Sequence, residues 1–224
     1  MVSLATGLLL GFLLGMRHAL EPDHLAAVSV LVTRRGRPGA GAVLGAIWGV
    51  GHTVALLAVG CVLASLGSRL PARWAAGFEL LVATMLVTLG IRAIVRGWRA
   101  ARAPDQQAGA AASRWRFARR PLVVGLIHGL AGSGALTALV LASLPTAMTR
   151  LGYIVLFGVG SAIGMASMTG LAGWSLARLE ENGRISRGLS VATGTFSLLL
   201  GAFWGGSALR ELLRELLHGF DSLS

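Results

Sequence analysis

The chain of 224 residues contains no lysine; all 20 of its basic residues are arginine. A Gly-x-x-x-x-Gly-Lys phosphate loop is therefore impossible, and no ATP-binding motif is present. Cysteine is nearly absent as well. Cys61 stands alone, which excludes an intrachain disulfide and a cysteine-based metal site, and it reads as a small apolar residue within a span. Acidic residues number nine, leaving a formal net charge of +11. That excess does not indicate nucleic-acid binding, because the arginines are sorted by membrane side rather than along one face. Charged residues make up 13% of the chain against 54% hydrophobic, and the apolar residues fall in long blocks, unlike those of a soluble domain. No basic segment precedes the first apolar run. Arg17 follows it, so the run reads as a retained span and not as a cleaved signal peptide.

A membrane span needs about 20 mainly apolar residues. Six segments qualify: 4–32, 42–66, 74–95, 122–144, 151–177 and 189–209. Nearly everything lies in or between them, so the expectation is one all-α integral membrane domain with no soluble enzymatic part. Thirteen arginines fall in the connections after the first, third and fifth spans, and five on the opposite side. The positive-inside rule then places both termini outside the cytoplasm of a bacterial-type inner (cell) membrane.

Two halves of the chain match each other. Gly15-Met16-Arg17-His18 pairs with Gly125-Leu126-Ile127-His128 at an offset of 110, and Trp48-Gly49-Val50-Gly51 with Phe157-Gly158-Val159-Gly160 at 109. Val82-Ala83-Thr84 pairs with Val191-Ala192-Thr193 at the same 109. Three spans per half force the second half to enter from the other side. The expected architecture is six transmembrane helices as two inverted three-helix repeats, residues 1–95 and 122–209, a plan common among secondary transporters. Residues 96–121, rich in Arg, Ala, Gln and Gly, read as a cytoplasmic linker. Over 210–220, Leu212, Leu213, Leu216, Leu217 and Phe220 recur at helical spacing, either as an interfacial amphipathic helix or as an extension of the sixth span. His218 lies on its polar side and reads as solvated.

The first span contains His18-Ala19-Leu20-Glu21-Pro22-Asp23-His24. Ionisable groups at membrane depth are costly and usually face a bundle interior or a pathway. On a straight helix His18 and His24 would differ by about 600° of rotation, leaving them roughly 120° apart and unable to converge. Pro22 removes that obstacle. It has no N–H for the carbonyl of His18, its ring clashes with that carbonyl, and it drives Glu21 out of helical dihedrals. Two half-helices meeting near Pro22 are expected, with Pro22 at the first position of the second and Glu21 and Asp23 at its positive end. Broken backbone at this depth is tolerated only against protein or a water-lined cavity.

Imidazole nitrogen with carboxylate oxygen suits divalent Ni, Co or Zn, and the lack of cysteine ligands argues against Cu(I). His52, just after Gly49 and Gly51 in the second span, is a candidate further ligand, and His128, at the repeat position of His18, is the next. A lone buried histidine is more often a hydrogen-bonded structural residue than a ligand; the neighbouring first-span cluster is what shifts the balance. Glu79 reads as a helix-packing or ion-pair residue, Arg17 as a possible neutraliser of Asp23 or Glu21, and Arg92 as a snorkelling side chain.

At these residues the chain resembles the nickel/cobalt transporter family, in its six-span branch of high-affinity nickel permeases or urease-accessory permeases. Arg17 to His24, Leu44 to Thr53, Gly125 to Ser133 and Phe157 to Gly160 carry the resemblance. It implies that His18, Asp23 and His24 recognise metal, that Glu21 stands where longer members have Asp, and that His52 is the Gly-His of the next span. Pro22 replaces the usual Ala, and Gly164-Met165-Ala166-Ser167-Met168-Thr169 lacks the acidic residues of longer members. The expected metal set is His18, Asp23, His24, His52, Glu21 and His128. The expected function is a secondary permease for Ni²⁺ or Co²⁺ as transported substrate, with no cofactor, in a lipid bilayer, as a monomer or a homodimer. Two other readings stand beside it: a transporter or export partner for another solute with the polar cluster as a proton relay, and a His-x4-Asp lipid acyltransferase, for which no domain supplies an acyl-donor groove. His-Glu-x-x-His is absent, so a metalloprotease is disfavoured.

Overall fold

A computed structural model describes residues 4–32, 38–66, 71–99, 114–131, 146–179 and 183–221. All the secondary structure within them is helical. The first expected span is two helices, α1 (Leu4–His18) and α2 (Pro22–Val32), and α3 (Pro38–Leu66) and α4 (Ala72–Arg99) follow. The second half supplies α5 (Arg114–Leu130), α6 (Ala147–Leu179) and α7 (Gly183–Asp221).

The starts of these helices follow from local chemistry. Pro22 and Pro38 each occupy a first helical position, where a missing N–H costs nothing. The carbonyl of Pro71 accepts from the N–H groups of Trp74 and Ala75 at 2.9 and 3.2 Å and so caps α4. At the head of α6, Thr146 and Thr149 satisfy each other's backbone N–H through their hydroxyls, both at 3.2 Å. This is the reciprocal logic of a capping box.

Among the described residues four helices, α3, α4, α6 and α7, are long and apolar enough to cross a membrane. The halves of the broken first span have 15 and 11 residues and cannot cross singly. The fourth expected span, 122–144, is described only to residue 131, and the rest of it lies outside the described residues. Leu9, Val50, Leu171, Leu199 and Phe203 are exposed, while His24, His52 and His128 are buried. Apolar outside and polar inside is the arrangement a bilayer imposes.

The linker boundaries differ from the sequence expectation. Both edges of the linker assigned to 96–121 are helical, since α4 runs to Arg99 and α5 begins at Arg114. Arginine is a strong helix former and needs no apolar periodicity to extend a turn. Of the two readings of the tail 210–220, the extension holds: α7 continues unbroken to Asp221.

Packing is paired between the halves. α1 lies on α6, α5 on α3, α3 on α6, and α4 on α7. The short α2 is enclosed by α4, α6 and α7, and Asp23, His24, Ala26, Ala27, Val28 and Val30 on it are all buried. Close approach depends on glycine at matched positions. A Cβ on Gly15 would run into the Phe157 carbonyl and the Ser161 N–H, and one on Gly125 into the Trp48 carbonyl and the His52 N–H. These contacts map onto each other at the sequence offsets of the two halves. Hydrogen bonds between helices tie the same interfaces: Thr53 Oγ1 donates to the Gly158 carbonyl at 3.0 Å and Ser197 Oγ to the Leu86 carbonyl at 2.9 Å.

Candidate metal centre

The first span breaks at Ala19–Glu21. α1 ends in tightened turns, with Leu20 N–H donating to the Arg17 carbonyl at 2.9 Å and Glu21 N–H to the His18 carbonyl at 3.0 Å. α2 opens with Leu25 N–H donating to the Glu21 carbonyl at 3.0 Å, which makes Glu21 its cap residue. The break brings the His18 and His24 rings to 4.4 Å between centroids, a separation a straight helix forbids.

Two further helices complete the cluster. α3 brings His52 to 5.1 Å from His18 and 5.4 Å from His24, between ring centroids. α5 brings His128 to 4.3 Å from His24. Four of the chain's five histidines thus share one buried centre, the most exposed of them, His18, at 3%. Asp23 is 6% exposed and engages two of them. Its Oδ1 accepts from His24 Nδ1 at 3.1 Å and its Oδ2 from His128 Nε2 at 2.7 Å. Glu21 Oε1 lies 3.0 Å from His18 Nδ1, at ion-pair distance but off the line of a hydrogen bond.

The ligand atoms fall into two triads that share His24: His18, His24 and His52, and Asp23, His24 and His128, each with its atoms within 4.8 Å of one another. Several of these atoms have no hydrogen-bond partner, including His18 Nε2, His24 Nε2, both nitrogens of His52 and His128 Nδ1. Buried polar atoms normally find partners, so this concentration of unpartnered ring nitrogens sets the cluster apart as a candidate ligand site.

The structure therefore brings together His18, Asp23, His24, His52 and His128, with Glu21 at the partly exposed edge. Arg17 is exposed, and the Asp23 carboxylate is taken by imidazoles instead. Glu79 is exposed on α4. Sequence reasoning assigned no role to the aromatic walls. Trp48, fully buried, stacks on His24 at 5.4 Å with 23° between planes and lies 5.7 Å from His128. Phe157 lies 5.4 Å from His18. The signal was available: Trp48 and Phe157 are repeat mates, as are His128 and His18, and Trp48 is one helical turn before His52 on the same face.

These features define a multi-pass helical membrane protein with a histidine–carboxylate centre buried at a helix break. Comparison with known proteins narrows the class. Over 206 residues the chain is 32% identical to the urease accessory protein UreH of Bacillus sp. (strain TB-90), an alignment covering 89% of this chain and 90% of that protein. The chain belongs to the UreH family. That membership points to a transporter and not to an enzyme. The chain is also 28% and 26% identical, over 208 and 212 residues, to the chloroplast proteins FOR GROWTH AND FERTILITY 2 and 1 of Arabidopsis thaliana. Each alignment covers 85% of this chain but only 54% and 56% of those proteins, so the chain spans about half their length. No family model and no solved structure matches the chain.

Proposed function

We propose that the protein is a secondary permease for Ni²⁺ or Co²⁺, with the cation received at the break in the first span. The observation that carries this reading is the set of buried, unpartnered imidazole nitrogens beside a carboxylate inside a lipid-facing bundle. Such a donor set suits borderline divalent ions. The relationship to a urease accessory protein supports a nickel or cobalt permease acting in urease maturation.

In this reading the cation sheds water into the centre, and nitrogen and oxygen donors drawn from His18, Glu21, Asp23, His24, His52 and His128 replace that water. The matched contacts of α1 on α6 and α5 on α3 support two inverted three-span repeats, six spans in all. Rocking of one repeat against the other would expose the centre to each side in turn. Both termini lie outside the cytoplasm, and transport runs inward. Protons compete with the cation for the same lone pairs, so a more acidic receiving side favours release. The 2.7 Å Asp23–His128 contact favours one second reading, a proton relay serving another solute.

Uptake of radiolabelled Ni²⁺ and Co²⁺ into proteoliposomes, wild type beside His18→Ala and His24→Ala, tests the proposal. Saturable uptake by the wild type, reduced at least tenfold in both variants, is expected. Uptake untouched by either substitution rejects the ligand assignment, and wild-type proteoliposomes that take up neither ion reject the permease.

A further inference from the structure

The six polar side chains of the centre are not equivalent, and their hydrogen bonds divide them. Both oxygens of Asp23 are already engaged, Oδ1 by His24 Nδ1 at 3.1 Å and Oδ2 by His128 Nε2 at 2.7 Å. A carboxylate only accepts, so each of those ring nitrogens carries the proton. The tautomer of His24 follows: Nδ1 protonated, Nε2 bare. His24 Nε2 is buried without a partner, so its lone pair is free. In the triad of Asp23, His24 and His128 the carboxylate has no oxygen left over, while His24 Nε2 and His128 Nδ1 stay unpartnered. The other triad is open. His18 Nε2 and both nitrogens of His52 are buried and unpartnered, and they share with His24 a set of ligand atoms within 4.8 Å of one another. His128 does not belong to that set; its ligand atoms group with those of His24 and Asp23 instead.

We infer that the cation is held by three imidazoles, His18, His24 and His52, while Asp23 and His128 are positioning residues that never touch it. This inference rests on the permease reading and goes further by assigning parts to five of the six side chains. Asp23 orients the His24 ring and fixes its tautomer, the usual role of a carboxylate behind a metal-binding histidine. His128 holds Asp23 in place by donating to its second oxygen. Trp48, stacked on His24 at 5.4 Å, closes the opposite face of that ring. Metal–nitrogen bonds are about 2.0–2.1 Å for first-row divalent ions such as zinc, so the three rings draw in slightly around the ion. An all-nitrogen protein shell favours Ni²⁺ and Co²⁺ over Mg²⁺ and Ca²⁺, which want oxygen. The Asp23 charge still balances part of the cation's charge from one bond further out.

The test is X-ray absorption spectroscopy of the purified full-length protein loaded with Ni²⁺ alone, with affinity measured in parallel by titration. Three imidazole ligands are expected in the wild type. Asp23→Asn and His128→Gln should keep all three while binding Ni²⁺ about ten- to a hundredfold more weakly. His52→Ala should drop to two. Loss of an imidazole in His128→Gln, a changed oxygen shell in Asp23→Asn, or fewer than three imidazoles in the wild type would overturn the assignment and leave the permease reading standing. Wild-type protein that binds no Ni²⁺ would overturn both. Should Asp23→Asn fail to fold, His128→Gln carries the same distinction.

Discussion

Gly125 shows how much of the centre depends on a single missing side chain. The Trp48 carbonyl and the His52 N–H occupy the space its Cβ would need, so α5 can carry His128 to Asp23 only because residue 125 is glycine. Gly77 on α4 has open space instead. Gly125→Ala should lower stability by about 1–3 kcal/mol through overpacking, read as a lower midpoint of thermal unfolding in detergent. Gly77→Ala should leave the midpoint unchanged or raise it slightly, since alanine is the better helix former. Equal midpoints for the two variants would show that the α3–α5 contact is looser than described. At this scale the sequence exposes His18, Asp23 and His24 plainly, because polar groups at membrane depth have few bland explanations. Trp48 is marked less plainly, by its place one helical turn before His52. An indole among aliphatic residues reads as packing, and only the fold shows that the face it packs against is His24. Nor does the sequence show that His128 meets Asp23 rather than His18, its own repeat mate.

Among the elements, the broken first span is the one the centre depends on most. Proline chemistry alone locates the break, and the observed turns at Ala19–Glu21 lie where the missing N–H of Pro22 puts them. Pro22→Ala removes both the ring clash and the missing donor, and a bilayer favours closing the freed hydrogen bond to the His18 carbonyl. A straightened helix would swing His18 and His24 roughly 120° apart. Pro22→Ala should therefore bind Ni²⁺ at least tenfold more weakly by calorimetry, and Pro22→Gly should retain more of the affinity, because glycine is about 1 kcal/mol poorer than alanine inside a helix. Wild-type affinity in Pro22→Ala would mean that tertiary packing, not proline, holds the break. Element ends were less legible. The α7 pattern passes through Gly205-Gly206 without a capping residue or proline after it, and neighbouring contacts, such as buried Ala208, carry the helix on. The arginine-rich flanks of 96–121 lack apolar periodicity yet are helical by propensity.

Across the whole molecule, the two halves agree in sequence offsets and in contacts: Gly15 against Phe157 and Gly125 against Trp48, His18 beside Phe157 and His128 beside Trp48. Membrane character was readable from hydropathy, because it is a property of long stretches. What α2 contributes was not. Its 11 residues look like half of an ordinary span, and only the packing of α4, α6 and α7 around it shows that it is the buried centre of the bundle, carrying Asp23 and His24 where lipid cannot reach. Everything proposed for the protein depends on a divalent cation occupying that place and no other. Diffraction from crystals grown with Co²⁺, collected at the cobalt absorption edge, tests this most directly. One strong anomalous peak is expected inside the bundle, at the break in the first span and bonded to His24. A peak confined to the surface, or a vacant centre in protein saturated with cobalt, would contradict it.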